Sequence, residues 1–310
     1  MIVKVENLVK RYKELIALDH FNMEVREGEI LGLLGPNGCG KTTAINCILS
    51  LLKIDKGSIE VFGQKMTPNS YALKKDIGIV PQEVSVFQNL TVEENIDYFC
   101  GLYIDDSSTR KQYVAEAIEF VGLSEYKKFF PKKLSGGLKR RLNIACGISH
   151  KPKLIFLDEP TVAVDAQSRN FILEGIKRLN RDGSTIIYTT HYLEEAEMLC
   201  DRIIIMDRGK SLVTGTLQEL KSMISTREKI IVGFENLEED VTDKLRVIPH
   251  VIDIEKTHSE YTIKFENGIN NISNLLDFIR SNELIYTKLY SQLPSLNDVF
   301  LELTGKELRE

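Results

Sequence analysis

Residues Gly35-Pro36-Asn37-Gly38-Cys39-Gly40-Lys41-Thr42 fit the spacing G-x-x-x-x-G-K-[ST], and their flanks constrain the fold more than any other feature. Upstream, Glu29 to Leu34 is an almost wholly apolar run of strand length that stops at a glycine, as in a strand buried on both faces. Downstream, Thr42 to Leu52 reads as a helix. Glycines let the backbone curl so that successive N–H groups point inward, and a helix start adds the positive end of its dipole. The result is an anion cradle formed by Gly35, Pro36, Asn37, Gly38, Cys39, Gly40, Lys41, Thr42 and Thr43. In such a cradle Lys41 reaches the β- and γ-phosphates of a nucleotide, and the Thr42 hydroxyl is a natural Mg2+ ligand. The local alternative, a glycine-rich turn with a surface lysine, leaves the flanking strand and helix unexplained.

A second acidic element supports the cradle. Leu154-Ile155-Phe156-Leu157 is a buried strand that delivers Asp158 and Glu159 at its C-terminal end, the ligand edge of an open parallel sheet. Asp158 is placed to hold Mg2+ through its water shell, and Glu159 to polarise an attacking water as general base. Further buried strands at 153–157, 185–190 and 202–206 alternate with helical patterns near 167–180 and 192–199. That alternation predicts an α/β fold with a largely parallel central sheet. Residues 89–150 read as a helical insertion. From about residue 226, strands at 229–234, 261–265 and 284–290 with helices at 271–280 and 296–304 read as a small α+β appendage. The expected division is therefore 1–222, with a helical part at 89–150, and 226–310.

Composition narrows the function classes. Forty basic against forty-five acidic residues give a net charge of −5, which argues against nucleic acid as the main partner. Five scattered cysteines without a C-x-x-C pair predict reduced thiols. The start of the chain reads as a strand rather than a secretory leader, and no apolar stretch approaches the ~20 residues of a spanning helix.

Between these elements the chain resembles the ATPases of ABC transporters. Leu134-Ser135-Gly136-Gly137-Leu138-Lys139-Arg140-Arg141 is similar to that family's signature, and Ser135 is at the same time a good helix N-cap. Gln82 matches the family's Q-loop glutamine, which touches Mg2+ and the lytic water. His191 matches the switch histidine at the γ-phosphate, Asp165 the D-loop aspartate, and Tyr12 the aromatic that stacks on adenine. The resemblance covers about residues 1–220. It implies a P-loop NTPase (RecA-like) core with an N-terminal antiparallel β subdomain, and ATP hydrolysis with Mg2+. In the family, Ser135, Gly136, Gly137 and Asp165 would act across a head-to-tail dimer of two copies, on ATP held by the partner's cradle. Leu138 stands where Gln is most common, and Val162 and Val164 where Ser and Leu are usual. The run from Leu293 to Gly305 resembles the tail of ATPases serving type-two permeases of the drug- and antibiotic-export branch. It also reads as an amphipathic packing helix.

The resemblance further implies a separate integral-membrane permease, a place at the cytoplasmic face of the cell membrane, and export rather than import. The segment from Glu83 to about Tyr103 is where the permease would dock; Val84, Val86, Phe87 and Leu90 are either that surface or core of the helical insertion. The cluster Lys127, Lys128, Lys132, Lys133, Lys139, Arg140, Arg141 reads as a solvated face, as an attractor of ATP phosphates, or as one for anionic lipid. A translation or DNA-repair ATPase would carry two cradles or a sustained heptad, and a GTPase an N-K-x-D. None is present.

Overall fold

β1 (Val3–Tyr12) and β2 (Leu15–Val25) form an antiparallel hairpin whose buried residues alternate with exposed ones, as one-sided sheets require. The computed structural model describes residues 1–235, 240–258, 260–266 and 269–305, so the expected end of the second region at 306–310 lies outside the described residues. After β3 (Ile30–Leu34) the chain enters α1 (Lys41–Ile48), then returns through β4 (Lys56–Val61) and β5 (Gln64–Lys65) to the first sheet, of order β2-β1-β4-β5. The helix expected to run to residue 52 stops at Ile48, because Ser50 turns left-handed at φ 52°.

A short helix α2 (Tyr71–Lys74) leads to β6 (Ile77–Val80). The helical insertion follows as α3 (Val92–Gly101), α4 (Ser107–Phe120) and α5 (Gly136–Ile148). The chain then alternates through β7 (Leu154–Asp158), α6 (Ala166–Arg181), β8 (Thr185–Thr190), α7 (Leu193–Leu199), β9 (Arg202–Asp207) and β10 (Lys210–Gly215). Its six-stranded sheet has the order β10-β9-β3-β8-β7-β6. All neighbours pair parallel except β10, which lies antiparallel on β9.

Both faces of this sheet are covered, which is why its strands read as continuous apolar runs. Leu31, Leu33, Phe156 and Ile204 face α1 and the first sheet, in one core with Leu8, Phe21 and Ile45. Ile155, Leu157, Ile186 and Tyr188 face the helices, in a second core with Ile96, Leu142 and Ile172. The carboxyl ends of β3, β7 and β8 therefore open at one edge, beside the point where the chain leaves β3 for β6 and later returns to β9. Ligands of open α/β sheets bind at that kind of place. All five cysteines are unpaired.

The chain divides into two compact units, the first spanning Met1–Thr216 and the second starting at Leu217. Helix α8 (Leu217–Met223) thus belongs to the second unit, where it packs against α11 (Leu296–Thr304), instead of closing the first. The second unit also holds β11 (Glu228–Phe234), α9 (Thr242–Leu245), β12 (Val251–Thr257), β13 (Glu260–Phe265), α10 (Asn271–Ser281) and β14 (Tyr286–Gln292). Its antiparallel sheet has the order β12-β13-β11-β14, with one face on a core of Val232, Tyr261, Phe265 and Leu275. In α11, Leu296, Val299 and Phe300 are buried and Ser295 forms a capping box with Asp298, so the tail is a packing helix.

Candidate functional site

The loop between β3 and α1 has the curled form that its glycines predict. Gly40, the N-cap of α1, sits at φ 110°, and a Cβ there would lie 2.7 Å from the Ala17 carbonyl oxygen. Any other residue would be strained and crowded there at once. The Cys39 N–H donates to the Pro36 carbonyl at 3.2 Å, and the Gly209 N–H to the Cys39 carbonyl at 2.8 Å, which ties the loop to the end of the sheet. Cys39 turns its side chain into the core, where burial pushes its thiol up despite Lys41 nearby. Asn37, Gly38 and Thr42 are exposed, while Pro36 and Thr43 are half-buried.

Lys41 is buried, and its ammonium donates to the Gly35 carbonyl at 2.7 Å and the Pro36 carbonyl at 3.3 Å. It also pairs with Glu159 Oε1 at 3.1 Å. Thr42 Oγ1 donates to Asp158 Oδ2 at 2.8 Å, so the cradle and the carboxylate strand meet as their positions at adjoining strand ends require. Thr189, opposite Asp158 in the β7–β8 register, donates from Oγ1 to Asp158 Oδ1 at 2.6 Å and accepts from the Glu159 N–H at 3.0 Å.

Glu159 adopts φ 46°, left-handed for a residue that rarely goes there. Strain of that kind costs about 1–3 kcal/mol and gathers at functional sites. The turn leaves Glu159 buried, with three groups around its carboxylate. Lys41 holds Oε1, the Gln82 side-chain amide donates to Oε2 at 3.4 Å, and His191 Nδ1 lies 3.3 Å from Oε2. That His191 contact is short but lacks hydrogen-bond alignment, so this buried ring nitrogen has no aligned partner among the described residues. Two oxygen donors, Thr42 Oγ1 on an exposed residue and Asp158 Oδ2 on a buried one, suit a hard divalent cation. The donor set thus fits the Mg2+ that the sequence implies.

Gln82 is held through the preceding Pro81 by contacts from α5 that the sequence does not reveal. Arg140 and Asn143 of α5 both donate to the carbonyl of Pro81, at 3.1 Å each, and Asn143 Oδ1 accepts from the Ser85 N–H at 3.0 Å. Arg140 is buried, which removes it from the expected solvated basic face, and Arg141 stacks over the Phe171 ring at 3.9 Å. The options for the docking segment divide by residue. Val86 packs on the helical core, whereas Phe87 is 45% exposed, against Tyr98 and Phe99.

The signature residues form a separate group. Ser135 caps α5, its Oγ accepting from the Leu138 N–H at 3.3 Å, and both Ser135 and Gly136 are exposed. Gly137 is where α5 meets the start of α6: a Cβ there would lie 2.1 Å from Ser168 Oγ and 3.1 Å from Asp165 Oδ2. Asp165 caps α6 by accepting from the Ser168 N–H at 2.8 Å, and that bond holds its carboxyl below the usual range. Among the described residues no hydrogen bond or ion pair joins this group to Lys41, Asp158 or Glu159. Tyr12 ends β1 in register with Leu15, two residues before Ala17 at the cradle, and its described ring partner is the Lys10 ammonium at 5.0 Å.

Residues 18–162 match the family model described as ABC transporter, and 215–304 that of the C-terminal domain of ATP-binding proteins like DrrA1-3. The linearmycin resistance ATP-binding protein LnrL of Bacillus subtilis is 38% identical, over 100% of both chains. The daunorubicin resistance ATP-binding protein DrrA2 of Streptomyces coeruleorubidus is 32% identical over 98% of this chain and 95% of that protein. Among solved structures, the dimeric post-hydrolysis state of the ATP-binding cassette MJ0796 with ADP and Pi superposes with TM-score 0.65. It is 29% identical and covers 70% of this chain and 99% of its own.

Proposed function

The chain belongs to the ATP-binding proteins of ABC transporters and is an ATPase, and on that premise we propose that it drives drug- or antibiotic-type export through a separate membrane permease. Two copies would pair head to tail and trap ATP with Mg2+. The observation that carries this reading is the convergence of Lys41, Gln82 and His191 on the buried carboxylate of Glu159, next to the Asp158–Thr42 pair.

The chemistry follows from these contacts. Phosphate oxygens seated on the loop amides compete with Glu159 for the Lys41 ammonium, and this exchange frees Glu159 to act as a base. Water held between Glu159 and Gln82 attacks the γ-phosphorus. The new O–P bond forms as the bond to the β-phosphate oxygen breaks, the water proton passes to Glu159, and ADP departs. His191 would donate to the γ-phosphate as charge builds on it. Burial strengthens each of these contacts by excluding water. Thr42 and Asp158 would hold Mg2+, which when bound neutralises charge on the β- and γ-oxygens.

Among the described residues, Ser135, Gly136, Gly137 and Asp165 share no hydrogen bond with the cradle of their own chain. They suit instead the phosphates of ATP held by a second copy, offering a capped helix start and bare backbone. The test is Glu159→Gln, which keeps the shape and removes the base. With ATP it should elute as a dimer on size exclusion and hydrolyse about 10²- to 10⁴-fold more slowly. A variant that binds ATP yet stays monomeric would refute the pairing.

A further inference from the structure

Glu195 lies in the first turn of α7 with no exposed surface, and it touches none of the groups assigned above to the reaction. A carboxylate is costly to bury unless fully hydrogen-bonded and paired, and this one is both. Tyr188 Oη donates to Oε2 at 2.7 Å, Thr190 Oγ1 donates to Oε2 at 2.9 Å, and Arg169 Nε donates to Oε1 at 2.7 Å. Burial, with the neighbouring Glu195 charge, pushes the Tyr188 phenol well up, so it remains a donor. Thr161, two residues beyond Glu159, approaches the same phenol oxygen at 3.4 Å.

These contacts grip both sides of His191. Thr190 precedes it, and the Thr190 hydroxyl that donates to Glu195 also accepts from the Tyr192 N–H at 2.9 Å. Tyr192 follows it, with its ring centroid 4.2 Å from that of His191 and the Arg169 guanidinium 4.8 Å from the same tyrosine ring. Arg169 in turn stands in the first turn of α6, one residue after Ser168, which abuts Gly137 and bonds the Asp165 cap. A single ion pair therefore joins the loop of the proposed γ-phosphate contact to the helix start beside the signature.

We propose that Glu195, acting through Arg169, is the positioning residue that sets the His191 ring at Glu159 and makes that setting depend on the start of α6. This rests on the function proposed above. Its consequence is that the Asp165–Gly137 surface, where a second copy would close, reports mechanically to the hydrolytic carboxylate. The described contacts of Glu195 and Arg169 include none with the cradle, Asp158 or Glu159, so binding and turnover should respond differently to their loss.

The experiment compares wild type, R169M, E195Q and the double variant E195Q/R169M, all as full chains, by ATP turnover and ATP affinity. The double variant removes both charges and so avoids an unpaired buried ion. The expected result is that kcat falls about ten- to a hundredfold in the double variant, as for a catalytic group displaced by about an ångström. Its Kd for ATP should stay within about threefold of wild type, since uniform binding is untouched, and the His191 imidazole NMR signals should move. A folded double variant with wild-type kcat, or one whose affinity falls in step with kcat, would overturn the proposal. Wild type that binds ATP without hydrolysing it would instead overturn the function above, and that is read before any variant.

Discussion

Removing one buried hydroxyl should loosen the Asp158 carboxylate. Thr189 is fully buried, and its Oγ1 donates to Asp158 and accepts from the Glu159 N–H. Thr189→Val keeps the shape of the side chain. The Glu159 N–H retains the Thr189 carbonyl at 3.2 Å, but Asp158 Oδ1 loses its 2.6 Å donor while Oδ2 keeps Thr42. A hydrogen bond to a charged group is worth about 1.5–3 kcal/mol, so the variant should lose about 2 kcal/mol. In a unit the size of Met1–Thr216, where each kcal/mol moves the midpoint about 2–4 °C, its melting should fall by about 4–8 °C. Thr189→Ser keeps the hydroxyl and loses a buried methyl, at roughly 1 kcal/mol. Calorimetry and ATP turnover separate the two. The serine variant should turn over nearly as wild type, and the valine variant at least about tenfold more slowly. If the valine variant melts and turns over as wild type, the hydroxyl does not hold Asp158.

Gly137→Ala places a methyl 2.1 Å from Ser168 Oγ. Forcing α5 and α6 apart should cost about 1–3 kcal/mol in urea titration, and an unchanged midpoint would count against that packing. In the second unit, burial pushes the Asp298 carboxyl up, but the Ser295 hydroxyl and N–H and the Lys229 ammonium outweigh it and leave the group below the usual range. Its stabilisation is therefore present above about pH 4 and lost as pH falls through the lowered value. Asp298→Asn should lose about 1 kcal/mol at pH 7 and progressively less as pH falls below about 4, and a loss that does not change with pH would contradict this. Phe87→Glu should leave ATP turnover of the isolated chain within about twofold and abolish export in cells. Intact export would remove Phe87 from the permease contact.

What was legible in the sequence was contiguous. The Gly35–Thr42 cradle, the strand ending in Asp158 and Glu159, and the Ser135 cap each declare themselves within a few residues, because a turn, a buried strand or a cap is a local demand. Pairings across the fold left no such trace. Thr189 lies 31 residues from Asp158, and Asn143 lies 62 from Pro81. Arg140 sits in a basic run that reads as solvated, and only the tertiary structure turns it inward. Glu195 follows Glu194 at a helix start, where acidic residues are expected on electrostatic grounds alone, so nothing marks it as buried. β12 was missed because its residues alternate only weakly, with Ile254 as its buried member. The boundary before Leu217 was placed late because α8 commits to the second unit through α11, some eighty residues onward.

Lys41 is central to nucleotide binding, since its buried ammonium would exchange Glu159 for phosphate. Calorimetric titration of ATP with Mg2+ into wild type and Lys41→Met tests this directly. Wild type should bind, and the variant should bind about ten- to a hundredfold more weakly, as for loss of a charge-assisted contact. Equal affinity in the two proteins would mean that the triphosphate is held elsewhere.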